Sequence, residues 1–280
     1  MNEMQETGTA DMPLITGRTR VLVIVGDPIA QAQSPVYYNR KIAAQGSNAV
    51  LVPWHAPESH FETVMAGLMG AANVDGIVVT YPFKQRAMNY ADRLTAAAMR
   101  VGAINALRRE KDGTWTGGMF DGDGLIQAAH TRIPNVIGLR ALLLGAGGAG
   151  SAIAYALAEA GVTELTIYDS DDAKGAALAK AVHAAFPDCD STATAAAPAV
   201  ANTDLLINAT PVGLHPQDGL PIKLSGLSPS TTVIDIIARQ EGTPLLSMAA
   251  NTGCIHIGGA AMVEGQAEVV LNFLGVCSFK

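Results

Sequence analysis

Ala141-Leu142-Leu143-Leu144-Gly145-Ala146-Gly147-Gly148-Ala149-Gly150-Ser151 is the stretch on which the reading of this chain turns. Its apolar opening reads as a buried strand. The six residues from Gly145 to Gly150 match G-x-G-x-x-G, a weak signal alone and a stronger one between a strand and a helix. The helix is expected over residues 151–160, closing at Gly161. In such a loop Gly145 permits the tight turn and Gly147 lets the backbone approach a pyrophosphate. Gly150 allows close helix–strand packing. Gly148 and Ala149 complete the loop, and the helix N-terminus brings N–H donors and the positive end of its dipole. The next apolar run, residues 165–168, stops at Asp169, about 20 positions after Gly150, where a ribose-binding acid is expected. A glycine turn in a plain α/β protein is the competing reading, and it leaves this spacing unexplained.

Asp169 also bears on the choice of dinucleotide. A carboxylate accepts hydrogen bonds from both ribose hydroxyls and repels a 2′-phosphate. Asp171 and Asp172 add to that repulsion, and Lys174 is the nearest cation. NAD is the expected cofactor, with NADP possible. Alternatively, these acids form only a solvated turn.

Outward from the loop, strands are expected at residues 205–208, 232–236 and 254–257, with a final helix at 262–274. The alanine-rich segment 173–201 reads as a helix followed by loops around a short strand. Toward the N-terminus, strands are expected at 21–25, 49–53 and 76–80. Helices are expected at 35–45 and 61–69, the first with Ser34 as its N-cap and Pro35 at its first position. This strand–helix alternation implies a parallel sheet. Residues 111–124, rich in glycine and aspartate, read as a linker.

Composition narrows the function classes. The 280 residues suffice for two domains. A hydrophobic share of 49% against 15% charged supports a large core. The net charge of −7 comes with no basic stripe, which argues against nucleic acid. Cys189, Cys254 and Cys277 lack any C-x-x-C spacing, so neither zinc nor a disulfide framework is expected, and a reducing cytoplasm suits them. His55, His60, His130, His183, His215 and His256 show no ligand spacing, so no metal is expected. Residues 141–158 are uncharged and approach membrane-span length, but their glycines favour a strand, turn and helix. Residues 1–20 carry acids and no apolar core, which suits a frayed tail and not a signal peptide.

Other motifs carry a resemblance. Residues 26–35, Gly-Asp-Pro-Ile-Ala-Gln-Ala-Gln-Ser-Pro, with Asn39 beyond, resemble the opening substrate motif of the shikimate/quinate dehydrogenases. Val79-Thr80-Tyr81-Pro82-Phe83-Lys84 resembles their catalytic-lysine motif, and Gly102-Ala103-Ile104-Asn105 their G-A-x-N motif. Asp121-Gly122-Asp123-Gly124 resembles the catalytic-aspartate motif, and Asn208-Ala209-Thr210-Pro211 and Met262…Gln266 match two more. The motifs span nearly the whole chain in order.

The resemblance implies that Lys84 and Asp121 form an acid–base pair meeting across a cleft. Ser34, Thr80, Asn105 and Gln266 would hydrogen-bond the substrate. Thr210, Ile236 and Gly259 would lie near the nicotinamide half of the cofactor. The blander readings are that Lys84 is a surface lysine and that the D-G-D-G run is a turn. Calcium is disfavoured, because the glutamate a calcium loop requires downstream is absent. Ser34 could merely cap its helix, and Asn105 and Gln266 could be satisfied structural amides.

The chain also departs from that family's pattern. Ala32 stands for a serine, Val78 for an asparagine, Ala106 for a threonine and Ala238 for a tyrosine. Met119-Phe120 replaces Asn-Thr, and Asp169-Ser170-Asp171 replaces the cofactor motif Asn-Arg-Thr. The expected fold is two α/β domains: a substrate-binding parallel-sheet domain over 19–117, completed by a C-terminal helix in 258–280, and a Rossmann dinucleotide-binding domain over 118–257. The expected activity is hydride transfer between NAD(P) and a cyclic polyol carboxylate such as shikimate or quinate, in a monomer or homodimer without membrane or nucleic-acid partners. A relative with a less polar substrate is a second reading. A cofactor-binding sensor with vestigial catalysis is a third, and the retained Lys84 and Asp121 argue against it.

Overall fold

The computed structural model describes residues 14–239 and 241–279. Most of the tail expected over residues 1–20 lies outside them. Two six-stranded sheets organise the chain.

The first sheet uses β1 (Arg20–Gly26), β2 (Ala49–His55), β3 (Val74–Val79), β4 (Arg93–Leu94), β5 (Ala106–Arg109) and β6 (Trp115–Gly118), in the order β2-β1-β3-β5-β6-β4. The β-branched run Val21-Leu22-Val23-Ile24-Val25 pairs parallel with β2 and β3. That is the parallel sheet implied by the strand–helix alternation. It is extended by β5, antiparallel to β3 and β6, and by β4, parallel to β6, so the whole sheet is mixed. Part of the expected linker 111–124 is therefore strand. Helix α1 (Ser34–Ala44) links β1 to β2, and α2 (Phe61–Gly70) links β2 to β3. α1 starts one residue earlier than expected: Gln33 is the cap, Ser34 is the first helical residue, and no side chain caps the helix. Helix α3 (Ala96–Val101) is capped by Thr95, whose Oγ1 accepts from the Ala98 N–H, and ends on Gly102 at φ +70°.

The second sheet uses β7 (Arg140–Leu144), β8 (Glu164–Tyr168), β9 (Asp190–Thr194), β10 (Leu205–Asn208), β11 (Thr232–Asp235) and β12 (His256–Gly258). All its pairings are parallel, in the order β12-β11-β10-β7-β8-β9. This is the doubly wound dinucleotide-binding order, which reverses between β7 and β10. Helices α5 (Gly148–Glu159), α6 (Asp172–Ala185) and α7 (Pro244–Thr252) belong to this half.

Two helices tie the sheets together. α4 (Asp121–His130) begins three residues after β6, so the D-G-D-G run is a first helical turn and not a loop. α8 (Gly259–Phe273) follows β12 directly and returns to the first sheet. Its Ala267, Val270 and Leu271 share a buried cluster with Leu22, Ile24, Tyr38, Val78 and Ala106. Arg108 Nη1 donates to the Phe273 carbonyl at 2.9 Å, and Arg20 Nη1 to the Gly275 carbonyl at 2.8 Å. Among the described residues, no helix is long and apolar enough to cross a membrane. Cys189, Cys254 and Cys277 are buried free thiols.

Candidate active site

β3 delivers the first functional side chain. The strand ends at Val79, and Thr80 turns the chain beside Gly26 at the end of β1, where a β-carbon on Gly26 would lie 2.4 Å from Thr80 Cγ2. Lys84 follows, its backbone carbonyl accepting from the Ile104 N–H at 2.9 Å. That bond holds the lysine turn against the Gly102–Asn105 segment.

The Lys84 ammonium pairs with Asp121 Oδ2. Asp121 is 2% exposed and is the first residue of α4, where the helix dipole favours a negative charge. Asn105 Nδ2 donates to Asp121 Oδ1 at 2.8 Å and to Gln266 Oε1 at 3.1 Å. Asn105 Oδ1 accepts from the Phe120 N–H at 3.1 Å, fixing the residue before Asp121. Lys84, Asp121, Asn105 and Gln266 thus form one connected group drawn from positions far apart in sequence. An asparagine amide has two protons, and Asn105 has committed both. What it can offer a ligand is a lone pair of Oδ1, so its geometry suits holding Asp121 in place. Ser34 is also buried, at the start of α1.

The glycine loop lies against this group. A β-carbon on Gly148 would meet Lys84 Cβ at 3.3 Å and Ala103 Cβ at 3.2 Å. Helix α5 begins at Gly148, three residues earlier than expected, so Ala149 and Gly150 lie in its first turn. Gly145, at φ +99°, packs against the backbone of Ala209 and Thr210. A β-carbon on Gly150 would lie 1.9 Å from the Gly145 carbonyl oxygen, whereas one on Gly147 would meet nothing within 4 Å. The space above Gly147 and the uncapped start of α5 fit a dinucleotide pyrophosphate. Asp169 Oδ2 accepts from the Ala146 N–H at 2.6 Å and Oδ1 from the Asp171 N–H at 2.8 Å. These bonds aim the carboxylate across the loop and leave lone pairs for ribose hydroxyls. Lys174, the nearest cation in sequence, pairs with Asp171 at 3.5 Å.

Thr210 lies against Gly145 of this loop, and Ile236 and Gly259 lie against each other. Thr210 Oγ1 donates to Asn208 Oδ1 at 2.7 Å, and Gly259 packs on the Ile236 backbone, its would-be β-carbon 2.2 Å from the Ile236 carbonyl oxygen. Beneath them lies a network that sequence reading did not find. Asn208 Nδ2 donates to Asp235 Oδ1 at 3.0 Å, and Thr243 Oγ1 to Asp235 Oδ2 at 2.7 Å. Burial pushes the Asp235 carboxyl up, opposed by the bonds from Thr243, Ile237 and Asn208. The signal available was Asp235 itself, an acid ending a fully buried strand.

Asp123, two residues past Asp121, lines a separate cavity of about 310 Å³ with Arg100, Tyr155 and Glu159. Its carboxyl is raised by burial and by the nearby charges of Glu159 and Asp121. None of the side chains that meet at Lys84 line that cavity. Among the described residues, no group of three or more His, Cys, Asp or Glu is arranged to hold a metal.

Comparison with known proteins agrees with this geometry. The model for "Shikimate dehydrogenase substrate binding domain" matches residues 24–107, and one for "Saccharopine dehydrogenase NADP binding domain" matches residues 141–217. Shikimate dehydrogenase (NADP(+)) from Rhodospirillum rubrum is 34% identical over 259 residues, 91% of each chain. The structure of shikimate 5-dehydrogenase from Listeria monocytogenes, in complex with shikimate and NAD, matches with a TM-score of 0.78 at 28% identity over 93% of each chain. Ligand-free 5-ketofructose reductase of Gluconobacter sp. strain CHM43 matches with a TM-score of 0.79 at 26% identity over 94% of this chain and 96% of that one. Likeness along nine-tenths of its length, through both sheets, means that the chain belongs to the shikimate dehydrogenase family.

Proposed function

We propose that this chain is an NAD(P)-dependent oxidoreductase that interconverts a hydroxyl and a keto group on a cyclic polyol carboxylate, of the shikimate/3-dehydroshikimate or quinate kind. The observation that carries this reading is the part-buried Lys84–Asp121 pair, with Lys84 set directly against Gly148 of the dinucleotide loop. Residues 19–117, completed by 258–280, form the substrate part, and 118–257 the dinucleotide part. The protein works as a monomer or homodimer in a reducing cytoplasm, without nucleic acid.

The bound nicotinamide would accept hydride from the alcohol carbon. Lys84 and Asp121 manage the proton. In oxidation the pair takes the proton of the reacting hydroxyl as hydride leaves the same carbon. In reduction the Lys84 ammonium donates to the developing alkoxide. Asp121 orients Lys84 and accepts from a neighbouring substrate hydroxyl. Ser34, Thr80 and Gln266 line the substrate side. A screen of cyclic polyols with NAD and NADP tests the reading directly, and turnover of none of them would overturn it.

NAD is the preferred cofactor in this proposal, because Asp169 already faces the loop and repels a 2′-phosphate. NAD is expected to give the higher kcat/KM, and Asp169→Ser with Ser170→Arg should move preference toward NADP. A wild-type preference for NADP of about tenfold or more, ~1.4 kcal/mol, would contradict this role for Asp169.

Val78 and Ala106 favour a second reading, a less polar substrate. They pair across β3 and β5 and lie in an apolar cluster. Each hydrogen bond absent from the pocket weakens binding by ~0.5–1.5 kcal/mol, where ~1.4 is tenfold. Shikimate is therefore expected to turn over with a KM well above the micromolar range. Ala32→Ser with Val78→Asn should lower that KM more than it changes kcat. Steady-state kinetics decide, and a micromolar wild-type KM would show that other residues carry recognition.

A further inference from the structure

Tyr38 lies one turn after Ser34 on the buried face of α1. It is fully buried, and its hydroxyl has no hydrogen-bond partner among the described residues. Its ring shares a cluster with Val78, Ala106 and Ala267. Ala106 directly follows Asn105, which donates to Asp121, and Ala267 follows Gln266, which accepts from Asn105. Burial, and then the charge of Asp121, push the Tyr38 hydroxyl well above its ordinary range, so it stays protonated and can donate. A buried hydroxyl left unpaired costs stability that a phenylalanine of the same shape would not. The hydroxyl therefore calls for a partner that arrives from outside the protein.

We propose that Tyr38 is a specificity-determining residue whose hydroxyl, at the floor of the substrate site, donates to a neutral ring hydroxyl of the substrate beside the reacting one. This rests on the function proposed above. A neutral oxygen is favoured because a substrate carboxylate would face the Asp121 charge in a site with little water to screen it. Lys84 is the more exposed partner of the ion pair. A substrate oxygen that accepts from Lys84 draws the ammonium off Asp121.

The test is Tyr38→Phe in the full chain, assayed with shikimate or quinate and with an analogue lacking one ring hydroxyl, alongside thermal melts. The variant is expected to raise KM for the complete substrate about two- to tenfold with kcat nearly unchanged. KM for the analogue lacking the matching hydroxyl should not move. The free variant should melt no lower than wild type, while its stabilisation by saturating substrate shrinks. Unchanged KM for every substrate would overturn the proposal, as would a variant that loses kcat and melts lower, the behaviour of a core residue. Absence of polyol turnover in the wild type would overturn the functional reading and this one with it. Wild-type turnover with an unaffected Tyr38→Phe would overturn this one alone.

Discussion

Replacing Lys84 by alanine is expected to lower kcat by ~10²–10⁴, the usual span for loss of a general acid–base group. The change removes the ammonium and keeps the β-carbon that packs beside Gly148, so the dinucleotide loop keeps its neighbour. Dinucleotide affinity measured by fluorescence titration should therefore barely change. Stability will fall as well. Asp121 is 2% exposed and would be left with Asn105 as its remaining partner. Removing one partner of a buried pair costs up to ~3–5 kcal/mol, and the partial exposure of Lys84 places this case lower. The assay must accordingly run well below the variant's melting temperature. Asp121→Asn should be similarly harmful, since it sets an amide between two donors. The double variant should be little worse than either single one, because the two groups act as a unit. Near-normal turnover by Lys84→Ala would sink the mechanism.

The other large effect is expected in the glycine loop, where two glycines separate cleanly. Gly150→Ala would set a methyl 1.9 Å from the Gly145 carbonyl oxygen, an obstacle made of backbone and unable to rotate away. Overpacking of this kind costs ~1–3 kcal/mol or more, and the upper end is expected here. The melting temperature should fall by several degrees, at roughly 2–4 °C per kcal/mol for a chain of this class. Dinucleotide binding should weaken with it, because the turn must open to relieve the clash. Gly147→Ala adds its methyl to open space, so the melting temperature should hold. Its dinucleotide dissociation constant should still rise, because that space is where the pyrophosphate would sit. Equal effects of the two substitutions on stability would contradict this division of roles.

The dinucleotide half was readable because its chemistry is written in spacing. Gly145, Gly150 and Asp169 each answer a steric or hydrogen-bonding demand local to one strand–loop–helix unit, and the strands around them are apolar runs. The first sheet's antiparallel extension was hidden by composition. β5 carries Arg108 and Arg109, whose guanidiniums donate to carbonyls of distant segments, a use that no local pattern announces. The first turn of helix α4 falls within the stretch 111–124 that reads as a linker, because Gly122 and Gly124 are poor helix formers. Tertiary packing overrides that preference. A β-carbon on Gly122 would lie 2.6 Å from Ala156 Cβ, and one on Gly124 would lie 2.7 Å from the Met262 carbonyl oxygen. Only glycine lets α4 approach α5 and α8 so closely. Asn105 and Gln266 could be singled out from motifs, but their mutual hydrogen bond joins residues 161 positions apart. Tyr38 carried no signal at all, since an unpaired hydroxyl is a property of packing.

The return of α8 to the first sheet also sets the order in which a growing chain can mature. The second sheet draws on a continuous run from Arg140 to Gly258 and closes from its own residues. The first sheet leaves the ribosome earlier, yet the face carrying Leu22, Ile24, Val78 and Ala106 is covered only in part, by Tyr38 and Ile42 of α1, until residues 259–273 emerge. At ~5–20 residues per second, that wait lasts on the order of ten seconds or more. The half made first is thus the half finished last, and during the delay its apolar face is the nascent chain's point of exposure to chaperones or to neighbouring chains.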